Sequence, residues 1–340
     1  MNDGGNHTKR NLSYRRAGFV RHVIALAAAS GGLAFAQPSV PEPPDRPTVI
    51  VVMGAAGEAE FGEDFSGQLE SWRKVGGEAH ARLVAIGADT AAESTDRARL
   101  QQALETEPKE GVGAVWLVLI GHGTFDGKEA KFNLRGPDVS STELAAWLKP
   151  FKRPLAIVDT SSASAPFLVK LAGPNRAVVT STRSGYEMNY ARFGKYFADA
   201  VADAKSDLDK DGQVSLLEAF LSAAHRTTEF YKTEGRLATE HALIDDNGDG
   251  LGTPAEWFRG VRATKRARDG AALDGARAQQ FTLLRSAAEQ QLSPEMRARR
   301  DQLELQIADL RDAKAKMAED AYFRELEKLL LELAALYDGT

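Results

Sequence analysis

The sequence predicts an α/β fold, a mostly parallel β-sheet flanked by helices, with helical segments of different character behind it. Three observations carry this reading. Short apolar runs rich in β-branched residues, the first being Thr48 to Met53 (TVIVVM), alternate with helix-length stretches. The runs are apolar throughout instead of alternating with polar residues, which is the pattern of strands covered on both faces. Beyond about residue 260 the runs stop and charged helical sequence takes over.

The folded part begins only after a leader. Lys9, Arg10, Arg15, Arg16 and Arg21 precede an apolar stretch from Val23 to Ala36 that ends in small residues, so residues 1–36 read as a signal peptide cleaved after Ala36. The expected destination is the periplasm or the extracellular space. The stretch is short for a membrane span, which needs roughly 20 apolar residues, so no stable span is expected after cleavage. Residues 37–47 form a linker stiffened by Pro38, Pro41, Pro43, Pro44 and Pro47.

The α/β domain is expected over residues 48–205. After the first run come a helix around Phe61 to Lys74, a strand from Arg82 to Ile86, a helix around Thr95 to Glu105 and a strand from Ala114 to Ile120 (AVWLVLI). A polar, hairpin-like stretch follows. Ser140 and Glu143 then sit at capping-box spacing ahead of a helix with Leu144, Trp147 and Leu148 on its apolar face. Pro154 to Val158 and Ala177 to Thr180 are further strands, and a helix is expected from about Tyr190 to Ala204. In such sheets ligands gather at the carboxyl ends of the strands. The residues to watch are therefore Gly121-His122-Gly123 and Asp159-Thr160-Ser161-Ser162.

Composition narrows the chemistry. A formal charge of -5 with acidic and basic residues interspersed gives no nucleic-acid footprint. Gly54-Ala55-Ala56-Gly57 after the first strand lacks both the dinucleotide fingerprint and a phosphate-loop lysine. With zero cysteines there is no disulfide, no thiolate metal site and no thiol nucleophile.

The strongest local signal lies in residues 193–260. Asp207, Asp209 and Asp211 offer carboxylates at positions 1, 3 and 5 of a twelve-residue loop, Gln213 a backbone carbonyl at 7, and Glu218 a bidentate carboxylate at 12. Gly212 stands where the chain must turn sharply, and Val214 where an aliphatic residue pins the loop. Hard cations want several oxygen ligands in this spacing, so the segment reads as an EF-hand-type calcium loop between two helices. A second match runs through Asp245, Asn247, Asp249, Leu251 (by its carbonyl) and Glu256, with Gly250 at the turn. Gly252 takes the place of the aliphatic residue there, and Pro254 stiffens the exit. Calcium is the expected cofactor, in a bracing role.

Residues 261–340 form a helical tail. Ser293-Pro294-Glu295 opens one helix, carrying Leu303, Ile307, Leu310 and Met317, and Leu326, Leu329, Leu330, Leu333 and Leu336 mark a second. A helical hairpin or short coiled coil is expected, and with it a surface for oligomerisation or for a peptide or protein partner.

The run VWLVLIGHG and the later run LAIVDTSSASAPF resemble the caspase and legumain group of peptidases, in which a His-Gly ends one strand and a cysteine within a Cys-x-Ser pattern ends the next. The resemblance implies the caspase-like fold. It places His122 at the catalytic histidine and Thr160 at the cysteine, with Ser162 and Ser164 at the family's small residues; Ser161 is an alternative nucleophile one position on. An internal threonine hydroxyl is a far weaker nucleophile than a thiolate. The expected function is that of an exported, calcium-binding, non-catalytic peptidase relative acting as a binding or scaffold module; the alternative is a hydrolase using Thr160 or Ser161 with His122. Arg183 and Glu187, after the fifth run, lie where a substrate pocket would be lined, and the preferred reading of them is a surface ion pair.

Overall fold

The computed structural model describes residues 45–89, 94–269 and 271–337. The expected signal peptide and most of the proline linker lie outside the described residues. No helix among the described residues is long and apolar enough to cross a membrane.

The chain opens with β1 (Thr48–Met53), α1 (Ala59–Glu78), β2 (Arg82–Ile86), α2 (Asp96–Thr106) and β3 (Val115–Ile120). The polar stretch that follows is a small antiparallel sheet of β4 (Gly123–Phe125), β5 (Ala130–Phe132) and β6 (Val139–Ser140). Next come α3 (Ser141–Leu148), β7 (Leu155–Asp159), α4 (Ala165–Leu171), β8 (Arg176–Thr180), α5 (Phe193–Ala200) and α6 (Leu216–Thr233). The expected capping box is present: the Ser140 hydroxyl accepts from Glu143 N–H, and Glu143 accepts from Ser140 N–H. Helix α5 is shorter than the sequence suggests. Its first turn is capped from afar by the buried Glu240 carboxylate, which accepts from Arg192 N–H (2.9 Å) and Phe193 N–H (3.0 Å), and this fixes where the helix starts.

The strands of the main sheet are ordered β10-β9-β8-β7-β3-β1-β2, where β9 is Leu243–Asp245 and β10 is Thr253–Pro254. The pairs β1/β2, β1/β3, β3/β7 and β7/β8 are parallel, and β9 and β10 add an antiparallel edge. The architecture is thus the expected mostly parallel sheet with helices on both faces. Side chains alternate between two cores. Val49, Val51, Trp116, Val118 and Val179 pack with Phe65 and Trp72 of α1, Phe197 of α5 and Phe220 of α6. Ile50, Val52, Leu117, Leu119 and Ile157 pack with Leu100 of α2, Leu144 of α3 and Phe167 of α4. Each fully buried aliphatic side chain contributes about 1.5–3 kcal/mol, which is why these strands read so clearly as continuous apolar runs.

The tail comprises α7 (Ala287–Gln291), α8 (Pro294–Ala313) and α9 (Glu319–Ala335). Helices α8 and α9 pack on one another as a hairpin. Leu303 and Ile307 of α8 are buried, whereas α9 buries only Tyr322 and leaves Phe323, Leu330 and Leu331 exposed.

Candidate functional site

Two regions answer to the sequence motifs, and they differ in how complete they are. At the first loop, carboxylate oxygens of Asp207, Asp209 and Asp211 lie within 4.8 Å of one another. Asp207 accepts from Lys210 N–H (2.6 Å) and Gly212 N–H (3.2 Å), Asp209 from Asp211 N–H (3.3 Å), and Asp211 from Gln213 N–H (3.0 Å). Glu218 folds back over the loop: one oxygen accepts from Leu208 N–H (2.7 Å) and Asp209 N–H (3.1 Å), the other from Ser215 N–H (2.9 Å) and its hydroxyl (2.8 Å). The Ser215 hydroxyl also accepts from Glu218 N–H (3.2 Å) and so caps α6. Burial, then the neighbouring Glu218, Asp211 and Asp207 charges, push the Asp209 carboxyl up.

The second loop repeats this backbone position by position. Asp245 accepts from Gly248 N–H (2.9 Å) and Gly250 N–H (2.6 Å), Asn247 from Asp249 N–H (2.8 Å), and Asp249 from Leu251 N–H (2.8 Å). The same two positions adopt the left-handed region in both loops, Lys210 and Gly212 in the first, Gly248 and Gly250 in the second. Its setting differs from the expected helix-loop-helix. A strand enters and a strand leaves, because Ile244 is buried in the sheet with Thr253 as its antiparallel partner and Pro254 continues the extended exit.

Gly252 has a reason of its own. A Cβ there would sit 2.8 Å from the Leu243 Cβ, so the aliphatic residue usual at this position is excluded by the hairpin. The two loops do not pair with each other: Ser215 of the first bridges to Thr282, while Thr253 of the second bonds within its own hairpin.

The carboxylate that folds over the second loop is not Glu256, which is exposed, but Asp274. One oxygen of Asp274 accepts from Asp246 N–H (3.0 Å) and Asn247 N–H (3.2 Å), the other from the Thr253 hydroxyl (2.5 Å). These donors, at loop positions 2, 3 and 9, match those that Glu218 engages in the first loop. Sequence reasoning missed Asp274 because no spacing rule links it to the loop. Asp245, Asp246 and Asp274 are all buried, and no lysine or arginine among the described residues forms an ion pair with them. Burial pushes Asp245 up to about 6, and Asp246 and Asp274 are also raised, chiefly by burial. Buried carboxylates are ordinarily paired or bound to a cation, and the donor set here, all oxygen, fits a hard divalent ion.

The second region lies at the carboxyl ends of β3 and β7, adjacent parallel strands that place His122 and Thr160 side by side. No hydrogen bond joins them. The His122 Nε2 lies 3.2 Å from the Ala56 carbonyl, and the ring is boxed edge-on by Phe61, Phe65 and Tyr190. Thr160 donates its hydroxyl to the Leu119 carbonyl (2.8 Å), and Ser161 donates to the Asp159 carboxylate (2.6 Å). Ser162 bonds Gly123, and Ser164 pairs with the Ser181 and Thr182 hydroxyls. All four are buried, Ser161 and Ser164 to 0% exposure.

A hydroxyl nucleophile needs a base within about 2.6–3.2 Å; here every candidate is turned inward and spent on structure. Gly123 serves that packing too, since a Cβ there would lie 2.2 Å from the Ser162 carbonyl. Asp159 is wholly buried with Oδ2 unpartnered, and desolvation lifts it to about 7 against the pull of the Ser161 bonds. Nearby, Arg183 pairs with Glu187 at 3.4 Å as expected, but Glu187 also holds His241 Nδ1 at 2.6 Å, tying the loop to the segment before β9.

No family model matches the chain, and no curated protein sequence matches it. Among solved structures it is similar to the Drosophila initiator caspase Dronc, with a TM-score of 0.40 and 12% identity over 62% of this chain and 82% of that one. It is also similar to caspase-1 from Spodoptera frugiperda, with a TM-score of 0.39 and 9% identity over 62% of this chain and 92% of that one.

Proposed function

We propose that this chain is an exported calcium-binding protein whose caspase/legumain-like domain serves as a non-catalytic binding or scaffold module. The observation that carries the non-catalytic half is the inward bonding of Thr160, Ser161, Ser162 and Ser164, with His122 engaged on a backbone carbonyl, in a chain without cysteine. The calcium half is supported by the repeated loop backbone, with Asp207, Asp209, Asp211, Gln213 and Glu218 as ligands of one ion. Asp245, Asn247, Asp249 and Leu251 would serve the other. Calcium supplies a positive charge to carboxylates that otherwise face one another, and so braces the segments around α6 and β9. The leader over residues 1–36 supports export. The tail hairpin, with Phe323, Leu330 and Leu331 exposed, is the surface assigned to a protein partner.

The test is hydrolysis of a fluorogenic peptide library by the parent and by His122→Ala, each with and without calcium. No turnover above background is expected in either protein. Turnover by the parent that disappears in His122→Ala would establish the hydrolase instead.

A further inference from the structure

Between the second loop and the tail, residues 272–286 run as a strap over both calcium loops. At the second loop the clasp is reciprocal. Asp274 accepts from the Asp246 and Asn247 amides and from the Thr253 hydroxyl, while Asp246 reaches back to accept from Gly275 N–H (2.7 Å) and Ala278 N–H (2.6 Å). The Asn247 side chain adds a bond to the Ala272 carbonyl (3.1 Å). At the first loop, Leu216 N–H donates to the Phe281 carbonyl (2.8 Å), Ser215 bridges to Thr282, and Ser286 N–H donates to the Gln213 side chain (3.2 Å). Ser286 is itself the cap of α7, whose neighbour α8 opens the hairpin.

We infer that the strap is a cation-dependent clasp: Asp274 gives the second loop the carboxylate that Glu218 gives the first, so that calcium locks residues 272–286 in place and thereby docks the C-terminal hairpin. The inference rests on the calcium reading of the second loop and extends it from bracing one loop to holding the tail. In the first loop the closing carboxylate lies on the helix that leaves the loop, so binding there tightens a local turn. In the second it lies on a separate segment, beyond the β9–β10 hairpin, so binding there joins two parts of the chain. Glu256, the residue that spacing alone assigns, is exposed and free of the loop backbone.

The test uses the full chain, with calcium alone as the probe. Equilibrium dialysis counts ions bound by the parent, Asp274→Asn and Glu256→Gln, and hydrogen–deuterium exchange follows the amides of residues 272–286 and of α8 with calcium and with a chelator. Expected are two ions for the parent and Glu256→Gln and one for Asp274→Asn. Exchange of the strap and hairpin amides should be at least about ten-fold faster after chelation, the change that ~1.4 kcal/mol of lost closure produces. If Asp274→Asn does not fold, the parent's exchange with and without chelator and the Glu256→Gln count decide. A parent that binds two ions but whose strap and hairpin exchange equally fast without them overturns the clasp and leaves the calcium reading standing. Loss of an ion in Glu256→Gln overturns the assignment of Asp274. A parent that binds none overturns the calcium reading itself.

Discussion

Chelating calcium is expected to lower the melting temperature of the chain by on the order of 10 °C. An ion that binds the folded state alone adds about 2.7 kcal/mol when its free concentration is a hundred times its dissociation constant. Two such sites add roughly twice that, and with unfolding entropy growing in proportion to length 1 kcal/mol corresponds to about 1.5 °C for a chain of this size. The magnitude follows from what bound ions would relieve. Asp209, Asp245 and Asp274 are all raised by burial and by neighbouring carboxylates. Magnesium, which demands a smaller and more rigid octahedral shell, should restore less of the loss than calcium. Differential scanning calorimetry in millimolar calcium and in excess chelator reads the shift directly; equal melting temperatures would remove the bracing role.

The second large effect is on pH and centres on Asp159. Its folded pKa, about 7, lies above that of an unfolded aspartate because burial favours the neutral acid. The stability this contributes is therefore complete below the unfolded pKa, near 4, and is lost as pH rises through about 7. Between pH 5 and pH 8 the parent should lose roughly 3 kcal/mol on this account, at ~1.4 kcal/mol for each pH unit over which only the unfolded state has ionised. Asp159→Asn keeps an acceptor for the Ser161 amide and hydroxyl but cannot ionise, so its stability should lack that slope. Urea unfolding of both proteins at the two pH values isolates the effect. A stability difference between parent and variant that stays constant across the range would mean that Asp159 is ionised throughout.

The same residue shows where sequence reading stops. Thr48–Met53 was legible to the residue as a strand because a parallel strand covered on both faces must be apolar along its whole length, and Arg82–Ile86, a half-buried edge strand, by its short apolar run. The Ser140/Glu143 box was legible because a cap is a local pattern of three residues' reach. His122 and Thr160 could be placed at strand ends by the same logic, and beside each other only by the resemblance of their motifs. The direction in which Thr160 and Ser164 point their hydroxyls could not, since it depends on a carbonyl and side chains some 20 to 40 positions away, Leu119 and Thr182 among them.

The two aspartate-rich loops divide in the same way. The spacing of Asp207, Asp209, Asp211 and Glu218 is contained within twelve residues; the structure gathers the three aspartates and folds Glu218 onto the loop backbone. For the second loop, the spacing found Asp245, Asn247 and Asp249 but pointed to Glu256, whereas the chain closes the loop with Asp274 after a hairpin has intervened. Strands β9 and β10 were hidden for a related reason. They are two or three residues long; β9 takes its partner from β8, more than 60 positions earlier, and β10 pairs only with β9.

The calcium reading is tested most directly by isothermal titration of calcium into the chain from Gln37 onward, beside an Asp207→Ala, Glu218→Ala double variant. Two binding events are expected in the parent and one in the variant. A parent that takes up no calcium below millimolar concentration would contradict that reading.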